Sequence, residues 1–247
     1  MIIPKGEKEI EIMREAGRIA AQCLRMLANA IKPGVTTGEL DSLAERFIRE
    51  KGALPTFKGY LGFPGSICTS INEVVVHGIP GSRKLQEGDI ISIDVGATYD
   101  GFVGDTAATF AVGKVSPVAE KLMRVTQESL MRAIQAVRPG ASTGDIGFAI
   151  ESYVRRFGFC VVRDYVGHGV GRSMHEDPPV PNFGRPGEGA VLREGYVIAI
   201  EPMVNEGTGD VITFADLTVV TKDGKLSAHF EHTVAVTKEG ARILTLV

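Results

Sequence analysis

The chain has 247 residues, of which 44% are hydrophobic and 23% are charged, and its formal net charge is -3. These values are close to the averages of folded globular domains, and they argue against a disordered chain and against a basic protein that binds nucleic acid or an anionic membrane. No apolar run has the length of a signal-peptide core or a membrane span, so a cytoplasmic location is expected. Cys23, Cys68 and Cys160 lie far apart and outside any CxxC pair, and we expect reduced thiols.

Two helices are predicted at the start of the chain. Apolar residues at helical spacing over 7–30 predict a first, amphipathic helix. A second helix is predicted to begin at Thr36, because Thr36 and Glu39 have the spacing of a capping box, and to end near Gly52.

The stretch IISIDVGATYDGFVGDTAATF, residues 90–110, predicts a β-hairpin that turns at residues 99–101. It places Asp94 and Asp105 in apolar, β-prone surroundings. A carboxylate taken out of water costs several kcal/mol unless it is paired or binds a metal. Each aspartate is therefore expected to have a cation nearby. A separate explanation is also open for each: Asp94 would pair with an arginine, and Asp105 would begin a turn.

A long internal repeat organises the sequence. Residues 137–158 match residues 31–52 without a gap, and residues 194–201 match residues 87–94, which places Glu201 where the first copy has Asp94. Such a repeat predicts two similar halves, about residues 1–113 and 114–247, within a single catalytic domain.

Each half is predicted to contain two helices followed by antiparallel strands, which is an α+β fold whose antiparallel sheet is covered by helices. The helices of the second half are expected at 116–136 and within the matching segment 137–158. The Pro/Gly-rich run over 177–189 is interpreted as turns.

Three further residues are candidates to join the two aspartates: His168 in GHGVG, Glu201 in AIEPM and Glu231 in FEHT. Salt bridges, or a histidine satisfied in the core, would explain any one of them alone. Four carboxylates packed together, however, repel one another unless cations neutralise them. Oxygen ligands with one imidazole suit manganese, iron, cobalt or zinc in an open, water-bearing site, which is typical of hydrolytic centres.

The motifs HGIP, the two aspartates, GHGVG followed by His175, IEPM and FEHT occur in an order that resembles the methionine aminopeptidases of the M24 peptidase family, over essentially the whole chain. The resemblance implies the pita-bread (creatinase/aminopeptidase) fold of two pseudo-symmetric halves. It also implies two divalent metal ions, cobalt, manganese, iron or zinc. One would be held by Asp94, Asp105 and Glu231, and the other by Asp105, His168, Glu201 and Glu231.

The same resemblance implies roles for other side chains. His77 and His175 are expected to contact the substrate and Glu201 to act as the general base. The implied methionine pocket consists of Tyr60, Phe63, Cys68 and Met174, and a sodium or potassium ion is expected near Asn72, Val74 and Ser227. One position departs from the pattern: Leu217 stands in ADLT where members commonly carry a tryptophan, so a wider pocket is expected.

The function implied by the resemblance is removal of the initiator methionine from nascent proteins and peptides whose second residue is small. The partners would be the N-termini of nascent polypeptides, at the ribosome, with a monomeric enzyme and neither membrane nor direct nucleic-acid binding. The short spacings between motifs, and a chain that begins directly at the catalytic domain, resemble the bacterial type I form. The alternatives are an Xaa-Pro peptidase, such as prolidase or aminopeptidase P, and a non-enzymatic binding module of this fold.

Overall fold

The computed structural model describes residues 2–247. Within them, the α-helices are α1 (Glu7–Ala28), α2 (Thr37–Glu50), α3 (Pro117–Ala136) and α4 (Thr143–Val154). Short 3-10 turns lie at Tyr60–Gly62 and Arg155–Phe157. The predicted helices are confirmed, and the first ends two residues earlier than its apolar pattern suggests. The Thr36–Glu39 capping box forms as expected, since the Thr36 side chain accepts from the backbone N–H of Glu39.

Strands alternate with these helices along the chain. In the first half they are β1 (Leu54–Pro55), β2 (Cys68–Ile71), β3 (Val74–Val76), β4 (Ile90–Tyr99) and β5 (Phe102–Ala111). In the second half they are β6 (Cys160–Val161), β7 (Gly167–Gly169), β8 (Glu176–Val180), β9 (Val197–Ile200), β10 (Met203–Asn205), β11 (Val211–Thr213), β12 (Val219–Thr221), β13 (Ser227–His229), β14 (Glu231–Thr237) and β15 (Gly240–Ile243).

One large antiparallel sheet runs through both halves. Seven of its strands have the order β1-β4-β5-β14-β9-β7-β8, with β2 paired to β4 and β15 paired to β14. The halves meet where β5 pairs with β14, so the central strands of the two halves are neighbours in the same sheet. Two small three-stranded sheets, β13-β10-β6 and β11-β12-β3, complete the β structure of the described residues.

Each pair of helices buries its own apolar core against the sheet. The first core joins residues of α1 and α2, such as Leu27 and Leu40, to Ile91 and Ile93 of β4. The second joins residues of α3 and α4 to strands β9 and β14. Helices therefore cover the sheet in both halves, as the α+β prediction requires.

The two halves repeat the same backbone hydrogen bonds. Gly34 N–H donates to Leu85 and Leu85 N–H donates to Val35; in the second half Gly140 donates to Leu192 and Leu192 donates to Ala141. The helix caps also match, because Thr36 forms a β-bridge with Lys84 and Ser142 forms one with Val191. The predicted pseudo-symmetric fold is thereby confirmed at the level of individual hydrogen bonds.

One prediction is wrong in part. The run over 177–189, interpreted as turns, begins inside strand β8, which carries Pro178 and Pro179. A proline has no N–H for a ladder, but β8 lies at the edge of the large sheet, where this loss is tolerated. Residues 2–247 contain no helix long and apolar enough to cross a membrane.

Candidate metal centre and substrate cavity

The β4–β5 hairpin brings Asp94 and Asp105 to one face of the sheet. Its turn is made by Asp100 and Gly101, whose φ angles of 47° and 75° suit a two-residue turn between twisted strands. Asp94 lies opposite Ala107, and Asp105 lies two residues before Ala107 on the same strand. Because alternate residues of a strand share a face, the two carboxylates are diagonal neighbours.

Strand register then adds the two glutamates. Ala107 also lies opposite Glu231 on the other side of β5, so Asp94 and Glu231 flank a small residue that leaves room between them. On β14 the next residue, His232, lies opposite Ile200, and that register places Glu201 beside Glu231. The match to Asp94 in the repeat predicts that Glu201 lies within a strand. In the structure Glu201 instead directly follows Ile200, the last residue of β9.

His168 on β7 completes the cluster. Its Nε2 lies 3.4 Å from Glu201 Oε1 and 3.9 Å from Asp105 Oδ2. Its Nδ1–H donates to the Gly169 carbonyl at 2.9 Å, which leaves the lone pair of Nε2 directed at the carboxylates. Burial lowers the pKa of His168 to about 4, so the imidazole is neutral, as a metal ligand must be.

The four carboxylates have no cation among the side chains of residues 2–247 to neutralise them. Burial raises the pKa of Asp94 to about 7. Burial, followed by repulsion from the neighbouring acids, raises those of Asp105, Glu201 and Glu231 well above their ordinary range. Three buried oxygens, Asp94 Oδ1, Asp105 Oδ1 and Glu231 Oε1, have no hydrogen-bond partner.

These orphaned oxygens fit divalent metal ions. Ligand atoms of Asp105, His168 and Glu231 lie within 4.8 Å of one another. Oxygen donors with one imidazole are the ligand set of manganese, iron, cobalt or open zinc sites. A cation there would remove the repulsion that raises the pKa values of the acids.

An apolar cavity of about 160 Å³ opens onto this cluster. All of the residues expected in the methionine pocket line this cavity, namely Tyr60, Phe63, Cys68 and Met174. Phe57, which the sequence analysis missed, packs with Cys68 and Met174 in the same apolar group. Nothing in the local sequence distinguishes Phe57 from an ordinary core phenylalanine.

The two expected substrate-contacting histidines also line the cavity. His175 Nδ1 is 2.7 Å from the Tyr60 hydroxyl, and the His175 ring stands edge-on to that of His168 with centroids 4.3 Å apart. His77 has a left-handed backbone, with φ of 60°, and its ring packs edge-on against Tyr165. Burial lowers the pKa of both His77 and His175, so both are neutral near pH 7.

Leu217 lies at the rim of the cavity, 47% exposed and with φ of 71°. Its backbone takes part in a hydrogen bond with the His77 ring. The position where the resemblance expects tryptophan therefore does line the cavity, and an aliphatic side chain occupies it.

The residues expected around a monovalent cation are near one another but already engaged. The Asn72 carbonyl accepts from Ser227 N–H at 2.8 Å, and its side-chain oxygen accepts from Ile90 N–H at 3.0 Å. Val74 begins β3 and pairs with β12. The structure brings Asn72 and Ser227 into contact, and the ion itself remains a prediction.

Comparisons with known proteins agree with this geometry. Residues 11–238 match the model of metallopeptidase family M24. A protein of Clostridium acetobutylicum named methionine aminopeptidase is 57% identical over 248 residues, which is 100% of this chain and 99% of the relative. The crystal structure of methionine aminopeptidase from Rickettsia prowazekii is 47% identical, with a TM-score of 0.98 and full coverage of both chains.

A prolidase structure from Pyrococcus horikoshii is more distant, at 25% identity and a TM-score of 0.80, and the match covers 64% of that chain. Sequence identity, coverage and TM-score are all higher for the methionine aminopeptidases than for the prolidase. The chain belongs to the methionine aminopeptidases of metallopeptidase family M24.

Proposed function

We propose that this chain is a dinuclear metal-dependent aminopeptidase that removes the N-terminal, initiator methionine from nascent proteins and peptides with a small second residue. The observation that carries the proposal is that a cluster of four acids and one histidine, of which Asp105, His168 and Glu231 are buried, forms one wall of an apolar cavity. Family membership supports the metal-dependent peptidase chemistry.

Asp94, Asp105 and Glu231 would hold one metal ion, and Asp105, His168, Glu201 and Glu231 the other. When bound, such ions act as Lewis acids that polarise the scissile carbonyl and lower the pKa of water, which supplies the nucleophile of hydrolysis. The ligand chemistry admits cobalt, manganese, iron or zinc, and cellular supply decides among them. A sodium or potassium ion near Asn72, Val74 and Ser227 is part of the same proposal.

Within the cavity, Tyr60, Phe63, Cys68 and Met174 would enclose the methionine side chain. Aromatic rings beside a thiol and a thioether suit an unbranched, polarisable group, because sulfur makes favourable contacts with ring edges. The cavity of about 160 Å³ is the space proposed for this side chain.

Glu201 is proposed to take the proton of the attacking water and to pass it to the leaving amine. Glu201 lines the cavity beside His168, where its carboxylate would act as the base. His77 and His175 are proposed to donate hydrogen bonds to the peptide at the scissile bond, where negative charge develops. The Tyr60 hydroxyl would keep the His175 ring in place.

The organisation of the protein is also part of the proposal. Both halves supply ligands, so residues 1–247 would form a single catalytic domain from two pseudo-symmetric parts, about 1–113 and 114–247. We propose a monomer in the cytoplasm that meets the N-termini of nascent polypeptides at the ribosome.

The direct test compares methionine release from Met-Ala-Ser and Met-Lys-Ser by protein loaded with Mn²⁺, Fe²⁺, Co²⁺ or Zn²⁺. Release from the first peptide and little from the second is expected, with chelator-treated protein as the control. A folded, metal-loaded sample that leaves Met-Ala-Ser intact with every ion would refute the proposal. Faster cleavage of an Xaa-Pro dipeptide than of Met-Ala-Ser would favour the Xaa-Pro peptidases instead.

A further inference from the structure

His229 is a buried histidine beside the metal cluster that the proposed mechanism does not use. It is 2% exposed, and its Nε2 has no hydrogen-bond partner although it is shielded from solvent. A buried ring nitrogen without a hydrogen-bond partner is destabilising, so its retention needs an explanation. In the sequence, His229 is inconspicuous because it lies two residues before the acidic Glu231 in HFEHT.

The orphaned Nε2 points toward Glu201. It lies 3.8 Å from Glu201 Oε2, while His168 Nε2 lies 3.4 Å from the other oxygen, Oε1. The Glu201 carboxylate therefore stands between two imidazoles, one at each oxygen. His168 cannot donate there from Nε2, because its proton is on Nδ1, bonded to the Gly169 carbonyl.

No side chain among residues 2–247 donates a hydrogen bond to the Glu201 carboxylate, whereas its backbone is anchored by Asn182 Nδ2, which donates to the Glu201 carbonyl at 3.1 Å. The terminal torsion of a glutamate is broad, and a modest rotation shortens a 3.8 Å separation to hydrogen-bond length. The His229 backbone is fixed, since its backbone N–H donates to Thr109 Oγ1 and its backbone carbonyl accepts from the same hydroxyl.

We propose that His229 is a positioning residue for Glu201: as a neutral imidazole it donates its Nε2 hydrogen to Oε2, which leaves Oε1 to face the metal cluster. The inference rests on the proposed function of Glu201.

The test uses the matched variants His229→Gln and His229→Met. Glutamine and methionine have similar length and shape, but only glutamine carries a donor at the position of Nε2. Loss of an outer hydrogen bond to a metal ligand typically lowers metal affinity or activity about 10–100-fold. We expect the methionine variant to lose about tenfold or more in kcat with little change in KM, and about tenfold in metal affinity by isothermal titration calorimetry. The glutamine variant should restore both.

The control pair is His232→Gln and His232→Met. His232 is also buried, but its side chain is on the opposite face of β14, where Nδ1 bonds Thr245 Oγ1 at 2.8 Å. These variants should change thermal stability without a difference in metal affinity between Gln and Met. Equal kcat and metal affinity in His229→Gln and His229→Met would overturn the proposal.

A second measurement determines the tautomer of His229 directly in the wild-type protein. The long-range ¹H–¹⁵N spectrum of wild-type protein, metal-free and loaded with Zn²⁺, should show His229 in the Nε2–H tautomer, with His229→Gln used for assignment. The Nδ1–H tautomer would overturn the proposal. Wild-type protein that fails to cleave Met-Ala-Ser defeats the proposed function, whereas normal wild-type cleavage with an Nδ1–H tautomer defeats this inference alone.

Discussion

At the scale of single residues, Glu201 is the side chain to which the proposal gives two chemical roles. It is a candidate metal ligand and the proposed base, and burial raises its pKa. It lies beside Glu231 through strand register and beside His168 through β7, so its surroundings are set by three strands. A change of charge at this position, without a change of shape, separates its chemical role from its packing role.

Replacing Glu201 with glutamine should reduce kcat about 10²–10⁴-fold, the usual contribution of a general acid or base. The fold should persist, because the amide has the same shape and the backbone bond to Asn182 remains. Steady-state kinetics on Met-Ala-Ser, with metal content measured by elemental analysis, checks this. The control is Glu45→Gln, which removes exposed ion pairs to Arg49 and Lys58 and should leave kcat unchanged. A kcat within tenfold of wild type would contradict the role of Glu201.

Replacing Tyr60 with phenylalanine removes the hydroxyl that bonds His175 Nδ1 and keeps the ring in the cavity. A hydrogen bond of this kind contributes about 1 kcal/mol, so kcat/KM should fall about fivefold. Tyr153→Phe is the control, since its hydroxyl bonds Glu128 in the second half, away from the cavity. Equal kcat/KM values for the Tyr60 variant and wild type would show that the hydroxyl does not hold His175.

At the scale of elements, close packing of α1 on β5 fixes the strand that carries Asp105. A Cβ added at Gly104 would lie 2.3 Å from Gly17 N and 2.5 Å from Gly17 Cα, so helix and strand touch through two glycines. Two hydrogen bonds also join β5 of the first half to β14 of the second half. The Asp105 backbone N–H donates to Thr233 Oγ1, and that hydroxyl donates to the Asp105 carbonyl. Both contacts hold Asp105 against β14 and Glu231.

Gly104→Ala should therefore destabilise the protein, because backbone atoms of α1 cannot move aside as a flexible side chain would. Overpacking typically costs about 1–3 kcal/mol, which lowers Tm by about 2–12 °C in a chain of this size. Differential scanning calorimetry checks this, with Gly81→Ala as the control, since nothing lies within 4 Å of a Cβ at Gly81. An unchanged Tm for Gly104→Ala would mean that α1 and β5 separate at little cost.

At the scale of the whole molecule, the cluster of acids makes the stability of the folded protein depend on pH and on bound metal. Both halves contribute carboxylates to one buried volume, so the metal-free protein keeps mutually repelling acids in its centre. The buried histidines have the opposite linkage, because burial lowers the pKa of His168 and His232 to about 4 and that of His229 to about 3. Their contribution to stability is complete above their unfolded pKa of about 6.5.

Between pH 6.5 and 8 the unfolded histidines lose their last protons, and the raised pKa values of the acids should control the change in stability. The unfolded acids are ionised there, whereas burial raises the pKa of Asp94 to about 7 and raises those of its neighbours well above their ordinary range, so the folded state binds more protons. Stability of metal-free protein should therefore fall as pH rises through this window. Metal at 100 times its Kd adds about 2.7 kcal/mol, or about 5–11 °C in Tm.

The measurement is Tm against pH for chelator-treated and Mn²⁺-saturated protein at one ionic strength. The gap between the two curves should widen from pH 6.5 to 8, because ionised ligands bind the metal more tightly. A constant gap, or a metal-free Tm that rises with pH in this range, would show that the cluster is not proton-loaded in the absence of metal.

Local patterns in the sequence predicted the elements, the repeat and the acidic positions, because capping boxes, apolar periodicity and turn residues act over a few neighbours. It therefore predicted α1 and α2, the turn at Asp100–Gly101 and the unusual burial of Asp94 and Asp105. Family motifs added the remaining ligands and the pocket residues.

Contacts between distant segments of the chain set which side chains meet. Ala107 lies between Asp94 and Glu231 because β5 pairs with strands from both halves, and no local pattern encodes that register. Pro178 could enter a strand only because β8 is an edge. In the sequence, Phe57 and His229 cannot be told from ordinary core residues. The fold places Phe57 in the cavity wall and His229 Nε2 3.8 Å from Glu201 Oε2. Burial and distance depend on contacts between residues far apart in the chain.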